Sequence, residues 1–111
     1  MSEIRKFTVE FLKVLADYTR LDILELLKDK NLNQEEIKKV LDKSQSTISQ
    51  HLKTLTSINL IEFDTSKKKK YYKIKNQDIL KLLSDINSFV IKINKEKIVD
   101  LRDLDVLDTL S

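Results

Sequence analysis

Apolar residues in the first sixty positions recur every three or four residues, which is the spacing of amphipathic α-helices. This pattern predicts a first helix over residues 3–16. Thr19 is expected to cap a second helix, with Asp22 at its capping-box position. That helix is expected to end near Lys30, because in a chain without glycine Asn31 is the nearby residue best able to adopt the left-handed conformation.

Two shorter helices are predicted next, in the arrangement of a helix-turn-helix pair. Asn33 is expected to cap the third helix, with Glu36 three residues later. Ser44 is expected to cap the fourth, which should end at Asn59. The predicted apolar faces consist of aliphatic residues, Ile37, Val40 and Leu41 on the third helix and Ile48, Leu52 and Leu55 on the fourth.

The apolar period changes to two between residues 60 and 75, which predicts a β-hairpin. One register places the large apolar residues on a single face and pairs Glu62 with Lys73 on the other. Its remaining pairs are Thr65 with Lys70, Phe63 with Tyr72, and Ile61 with Ile74. The loop, Ser66–Lys69, is expected to be loose, because tight two-residue turns favour glycine and the chain has none.

A long apolar stripe predicts a last helix that opens at Asn76 and reaches residue 93. Its members are Ile79, Leu82, Leu83, Ile86, Phe89, Val90 and Ile93. Beyond it, Ile98 and four leucines recur every three residues, a spacing that drifts by about 60° per step round an α-helix. We therefore predict one mainly α-helical domain with a small β-hairpin over residues 1–93, and a C-terminal helical arm or tail over residues 94–111.

The composition excludes several classes of function. The 111 residues contain no glycine, proline, cysteine or tryptophan and one histidine. Glycine-rich phosphate loops, EF-hands, disulfides, zinc fingers and thiol catalysis are therefore excluded, as is a multi-histidine metal site within one chain. We expect neither an enzyme nor a bound cofactor or metal. No apolar run is long enough to span a bilayer and the N-terminus has no signal-peptide pattern, so the expected location is cytoplasmic and no membrane partner is expected.

The charge is unevenly distributed, although the net charge is only +3. Residues 43–75 contain eight lysines and two carboxylates, a local charge of +6. A basic segment next to a helix-turn-helix is typical of contact with nucleic acid. A lysine run is equally typical of an ordinary solvated surface, so charge alone does not decide between the two interpretations.

The order helix, helix, helix-turn-helix, hairpin, helix is that of a winged helix-turn-helix. Three segments also resemble ArsR-type transcriptional regulators. Residues 15–24, LADYTRLDIL, resemble the opening LADPTRLxIL of that family, and residues 44–55, SQSTISQHLKTL, resemble its recognition-helix signature SQSTVSHHLKxL. Residues 71–74, YYKI, are similar to the end of its wing. The resemblance covers roughly residues 7–90 and implies a dimeric regulator that binds double-stranded DNA.

The chain departs from the family pattern at four positions. Tyr18 replaces the usual proline, and Lys67 stands where the wing usually has glycine. Many metal sensors of the family carry a Cys-x-Cys pair at the start of the third helix, where this chain has Asn33 and Glu35. The alternative family site on the last helix needs histidine, which that helix lacks. The resemblance therefore implies the fold without the metal site.

Polar residues of the fourth helix are the candidates for reading bases, since amide and hydroxyl groups bond base edges. They are Gln45, Ser46, Ser49 and Gln50. The candidates for contact with the DNA backbone are Arg20, Ser44, Thr47, Lys53, Lys67, Lys68, Lys69 and Lys70. Arg20 could instead pair with Asp17. His51 borders the apolar stripe, so packing or a backbone or phosphate contact is favoured over a chemical role.

The terminal helices carry more apolar residues than one small domain needs to cover. Those proposed for a two-fold interface are Phe7, Phe11, Ile86, Phe89, Val90 and Ile93. The resulting prediction is a homodimeric, sequence-specific transcriptional regulator that represses by occupying its operator. Two alternatives remain open, a winged-helix module for protein–protein contact within a larger transcription or replication assembly and a nonspecific architectural DNA-binding protein.

Overall fold

The computed structural model describes residues 2–98, which form five α-helices and a three-stranded antiparallel sheet. The helices are α1 (Ser2–Leu15), α2 (Tyr18–Leu26), α3 (Gln34–Leu41), α4 (Gln45–Ser57) and α5 (Asp78–Ile93). The strands are β1 (Leu32–Asn33), β2 (Ile61–Ser66) and β3 (Lys69–Ile74), in the sheet order β1-β3-β2. The winged helix-turn-helix prediction is confirmed.

The chain divides into two compact units, one ending at Gln77 and the other beginning at Asp78. In the first unit, α2, α3 and α4 contact one another, and α4 also contacts β2. The core consists of aliphatic side chains from these elements, and full burial of each contributes roughly 1.5–3 kcal/mol to folding. Those with the least exposure are Ile23, Leu24, Ile37, Ile48, Leu52, Leu55 and Ile61.

The second unit contains α5, which begins at Asp78, two residues later than expected. Its one fully buried residue among those described is Ile79. Residues 95–98 are again helical. The predicted arm lies mostly outside the described residues, which end at Ile98; its leucines at 101, 104, 107 and 110 are among those not described. No helix within residues 2–98 combines the length and apolarity needed to cross a bilayer.

Two of the predicted helix caps are confirmed. The Asn33 side chain accepts a hydrogen bond from the Glu36 backbone N–H (2.9 Å), and the Glu36 carboxylate accepts one from the Asn33 backbone N–H (3.0 Å). This is a complete capping box. Ser44 Oγ accepts from the Thr47 backbone N–H (3.2 Å) at the start of α4. Asn59, with φ of 65°, follows the end of α4 as predicted.

The prediction for the ends of the second helix was wrong. Asp17, not Thr19, is the N-cap of α2, because its side chain accepts from the Arg20 backbone N–H at 3.0 Å. The helix ends at Leu26, and Asn31 is not among the residues with positive φ. The chain instead becomes extended early enough to form β1, which pairs with β3 through Leu32 opposite Tyr72.

The predicted hairpin register is confirmed at every pair, including Glu62 with Lys73. The loop prediction was wrong. Ser66 pairs with Lys69, so the turn contains only Lys67 and Lys68, with φ of 50° and 65°. Positive φ at both central residues is the geometry of a tight primed turn, which matches the twist of the strands even without glycine.

Two predicted core residues are exposed. Val40 is 61% exposed because it lies about 60° round α3 from Ile37, beyond the edge of the buried face. Phe63 is 39% exposed, near the tip of the hairpin. Its ring packs against Tyr72 with a centroid separation of 5.6 Å. The buried end of the hairpin is formed by Ile61 and Ile74.

Replacing Lys67–Lys68 with Asn-Gly should raise the free energy of unfolding by about 1 kcal/mol. The left-handed conformation costs roughly 1–2 kcal/mol for a non-glycine residue, and the greater freedom of glycine in the unfolded chain offsets about 0.5–1 kcal/mol of the gain. Urea denaturation measures the change. As a control, Lys69→Gly, in β3, should lower stability by about 0.5–1 kcal/mol. A loss of stability in both variants would contradict the role assigned to the turn.

Candidate nucleic-acid interface

The four predicted base-reading residues lie together on the outer face of α4. Gln45, Ser46, Ser49 and Gln50 are all exposed. At 100° per residue they span an arc of about 140°, which lies opposite or beside the buried residues Ile48, Leu52 and Leu55 and is centred about 120° round the helix from them. Lys53 is also exposed and falls within the same arc. The helix therefore offers one continuous polar surface of amide, hydroxyl and ammonium groups.

The start of α4 is held by its own hydroxyl groups. Ser44 Oγ donates to Thr47 Oγ1 (2.8 Å) in addition to capping the Thr47 N–H, and it lies 3.3 Å from Ser46 Oγ. The side chain of Gln34 donates to the Gln45 carbonyl oxygen at 3.3 Å, which links α3 to the first turn of α4. Contact of Ser44 and Thr47 with the DNA backbone stays a prediction.

The wing, which is the hairpin of β2 and β3, has four consecutive lysines at and beside its turn. Lys67, Lys68, Lys69 and Lys70 are all exposed. Lys70 Nζ lies 4.5 Å from the centroid of the Phe63 ring, a cation–π contact that restricts the side chain. Lys73 is different, because its Nζ lies 2.8 Å from Asp64 Oδ2 and 3.8 Å from Glu62 Oε1. The hydrogen bond to Asp64, with the charges of both carboxylates, raises the pKa of Lys73.

A cleft of about 530 Å³ lies between the wing and the first turns of α3 and α4. Its lining residues are Asn33, Gln34, Glu35, Gln45, Lys68, Lys69, Lys70 and Tyr72. The cleft brings three of the predicted backbone-binding lysines and one predicted base reader to the same concave surface. Sequence reasoning missed Gln34, although its place directly after the N-cap Asn33 was a signal that it lies at a helix start.

Arg20 makes internal contacts with three parts of the first unit. Its Nε donates to His51 Nδ1 and its Nη1 to the Val14 carbonyl oxygen, each at 3.0 Å. Its backbone N–H donates to Asp17 Oδ1, and the same oxygen lies 3.9 Å from His51 Nε2. The phosphate contact expected of Arg20 stays a prediction.

The pKa of Asp17 is lowered, first by the backbone hydrogen bond from Arg20 and further by the charge of the Arg20 guanidinium, against an opposing effect of burial. A carboxylate with a lowered pKa stabilises the fold above its unfolded-state value and loses that contribution as the pH falls through its folded-state value. The α2 cap is therefore stabilising at neutral pH and weakens only in acid. Sequence reasoning paired Asp17 with Arg20 but did not identify the cap.

Each terminal helix carries exposed apolar residues. On α1, Phe7 is 67% exposed, and Phe11 is half-buried. On α5, the exposed set includes Ile86, Phe89, Val90 and Ile93, with Phe89 at 61%. Exposed aromatic and branched side chains in such number are typical of protein–protein contact surfaces. Their assignment to a dimer interface stays a prediction.

Within residues 2–98, no group of three or more His, Asp or Glu side chains is arranged to hold a metal ion. The Asn33 side chain, at one of the positions where metal sensors of the ArsR type have cysteine, is used in the capping box. Glu35, at the other position, lines the cleft.

Comparison of the sequence with known families finds a match that extends from the start of α2 to the start of β2. Residues 17–62 match the family described as "Bacterial regulatory protein, arsR family". The "Arsenical resistance operon repressor" of Bacillus subtilis is 34% identical over 83 residues, which are 74% of this chain and 78% of that protein. The "HTH-type transcriptional regulator KmtR" of Mycobacterium tuberculosis is 29% identical over 77 residues, which are 69% of this chain and 59% of KmtR.

Solved structures share the fold. HlyU from Vibrio cholerae superposes with a TM-score of 0.69 and 27% identity, covering 80% of this chain and 97% of that one. A homodimeric winged helix-turn-helix DNA-binding domain from Mycobacterium bovis, described as a possible ArsR-family transcriptional regulator, superposes with a TM-score of 0.75. It is 24% identical and covers 85% of this chain and 88% of that chain.

Proposed function

The chain belongs to the arsR family of bacterial regulatory proteins, and from this premise we propose that it is a sequence-specific DNA-binding repressor that occupies its operator as a homodimer. The observation that carries the proposal is the outer face of α4. Its four exposed polar side chains lie on a helix whose opposite face is fixed in the core. An α-helix fits the major groove, where amide and hydroxyl groups can distinguish base pairs.

Base reading is assigned to the amide and hydroxyl side chains of α4. A glutamine can bond the N6 and N7 groups of adenine in a bidentate manner, and serine hydroxyls adapt to donors or acceptors. We assign the first role to Gln45 and Gln50 and the second to Ser46 and Ser49. All four are exposed, which supports direct contact with base edges.

Contact with the DNA backbone is assigned to the cationic wing and to the start of α4. Lys67–Lys70 carry charges that no carboxylate in the described part of the chain is seen to pair. A phosphate group that enters the 530 Å³ cleft would approach Lys68, Lys69 and Lys70. Lys53, Ser44 and Thr47 are the further candidates, since ammonium and hydroxyl groups are common phosphate ligands. Arg20 is not assigned this role, because its guanidinium already donates to His51 and to the Val14 carbonyl oxygen.

The homodimer is supported by the apolar surfaces of α1 and α5. A second copy of the chain would cover Phe7 and Phe11 on α1 and the exposed stripe of α5, which a monomer leaves in water. The structural relative from M. bovis is described as homodimeric. A two-fold dimer implies a near-palindromic site with half-sites about 34 Å, or roughly 10 base pairs, apart or at a multiple of that distance.

The effector is proposed not to act through thiols. One relative is named for an arsenical resistance operon, but this chain has no cysteine, and Asn33 and Glu35 occupy the positions of the family's Cys-x-Cys pair. We therefore do not transfer a response to arsenic or soft metals. We expect the protein to act in the cytoplasm, where a bacterial regulator meets the chromosome.

A competition assay tests the proposal against the two alternatives. Labelled DNA from upstream of the gene is bound by the full chain and challenged with genomic fragments and with shuffled DNA of equal length. A repressor binds one set of fragments preferentially. An architectural protein binds all duplexes with the same steep salt dependence, and a protein–protein module binds none, so either result would refute the proposal.

Gln45→Ala or Gln50→Ala should weaken binding to the DNA site that this assay identifies by about 1–3 kcal/mol, because a bidentate base contact is lost. Binding to shuffled DNA should change much less. Gln77→Ala removes an exposed glutamine outside α4 and serves as the control. Fluorescence anisotropy titrations measure both affinities. Equal losses on the two DNAs would mean that these residues do not read bases.

A further inference from the structure

His51 lies at the flank of α4, between the polar outer face and the buried stripe. Successive residues are 100° apart, which puts His51 about 65° from the centre of the buried face. Its side chain is 15% exposed. The ring therefore meets neighbouring elements of the first unit rather than open solvent.

The hydrogen bonds define the protonation state of the ring. Arg20 Nε can only donate, so His51 Nδ1 accepts its hydrogen bond at 3.0 Å and carries no proton. In this arrangement His51 is the neutral tautomer with hydrogen on Nε2, and that nitrogen lies 3.9 Å from Asp17 Oδ1. If the ring gains a second proton, Nδ1 becomes a donor and two cations face each other, while attraction to Asp17 grows.

Arg20 joins this ring to the rest of the unit. Arg20 is part of α2, and the guanidinium that bonds His51 also donates to the Val14 carbonyl oxygen in the last turn of α1. Asp17 and Arg20 are the charged groups in contact with the ring. The elements α3 and β2 also contact α4, but carboxylates on them have other partners. Glu36 accepts a hydrogen bond from the Asn33 backbone N–H, and Glu62 and Asp64 both lie near Lys73 Nζ.

We propose that Arg20 and His51 are positioning residues for DNA recognition, and that neutral His51 docks α4 onto α1 and α2 in the orientation that binds DNA. The proposal rests on the function proposed above. Protonation of His51 breaks the bond to Arg20, shifts the ring toward Asp17 and loosens the orientation of α4. Operator affinity therefore falls when His51 gains a second proton.

The single histidine gives a direct test in the full chain. Nitrogen-15 NMR of the imidazole should show an unprotonated Nδ1 at pH 8 in the wild type and a changed signal in Arg20→Gln. A protonated Nδ1 at pH 8 would overturn the proposal without reference to DNA. If the protein fails to bind its upstream DNA but the tautomer is as expected, the proposed function fails and the Arg20–His51 bond stands.

The pH dependence of operator binding is the second test, at constant salt. Wild-type affinity should drop about tenfold from pH 7.5 to 5.5, the effect of losing a hydrogen bond to a charged group. In His51→Gln the side-chain carbonyl can accept from Arg20 and does not titrate, so its affinity should not vary with pH. A wild-type affinity that is constant would overturn the proposal. A wild-type affinity that rises as the pH falls would also overturn the proposal, because such a rise would indicate direct contact of charged His51 with a phosphate.

Arg20→Gln separates positioning from phosphate contact. Its control is Arg5→Gln, which removes the same charge from an exposed site on α1. Arg20→Gln should bind the operator about tenfold more weakly than the control, with the same dependence of log affinity on log salt. A slope lower than the control by about 0.9 per subunit would mean that Arg20 binds a phosphate, and positioning would be refuted.

Discussion

Phe89→Glu should convert the proposed homodimer to monomers and weaken operator binding by about 10²–10⁴-fold. Phe89 is 61% exposed on α5, within the apolar stripe proposed to face the partner chain. A two-fold interface would bury the new carboxylate of each subunit in a desolvated apolar patch, and this desolvation opposes association. Each monomer then holds one half-site without the gain from linked binding, which is worth about 10²–10⁴-fold.

Sedimentation velocity at micromolar concentration, with and without operator DNA, measures the change in mass. Val40→Glu is the matched control, because Val40 is 61% exposed on α3 and lies outside the proposed interface. It should leave the mass unchanged. A Phe89→Glu protein that remains dimeric would show that the stripe of α5 is not the interface, and a monomeric wild type would refute the homodimer.

Replacing Lys67, Lys68, Lys69 and Lys70 with glutamine should flatten the salt dependence of DNA binding by about 3–4 units. Each phosphate that a protein neutralises contributes roughly 0.9 to the slope of log affinity against log salt. The two turn lysines and the first two residues of β3 do not all face one way. About two phosphates per wing, hence about four per dimer, give the expected change.

The fold should survive this replacement, because all four lysines are exposed and the pairs Ile61–Ile74 and Phe63–Tyr72 are untouched. Affinity should fall on every duplex to a similar extent. The control replaces four exposed lysines elsewhere, Lys6, Lys13, Lys30 and Lys92, and thereby makes the same change in net charge. An unchanged slope in the wing variant would mean that these lysines are an ordinary solvated turn. A loss confined to one sequence would mean that they read bases.

Local rules predicted the parts of the fold that neighbouring residues determine. The capping box at Asn33 and the cap at Ser44 need only residues three apart, and the hairpin register follows from alternation along two adjacent strands. The exposed face of α4 could likewise be predicted, because its buried stripe fixes which side remains outside.

The sequence-based predictions were wrong or incomplete where the local structure depends on residues far away in the sequence. Leu32 and Asn33 become a strand because β3 offers them a free edge, which no local pattern in residues 31–33 indicates. The turn at Lys67–Lys68 is tight because the paired strands impose their twist on residues with no preference for it. The bond between Arg20 and His51 joins residues 31 positions apart. Periodicity and spacing contain no information about such a contact.

Asn33 belongs to two elements at once, as the last residue of β1 and the N-cap of α3. Its backbone is tied to the wing through Tyr71 and its side chain to the first turn of α3. Any evolutionary path that introduced a thiolate metal ligand at this position would first lose the cap, at a cost of about 1 kcal/mol. The position is thus under a stability constraint that is independent of ligand sensing. A lineage could therefore retain the winged fold while its sensory chemistry evolved at other positions.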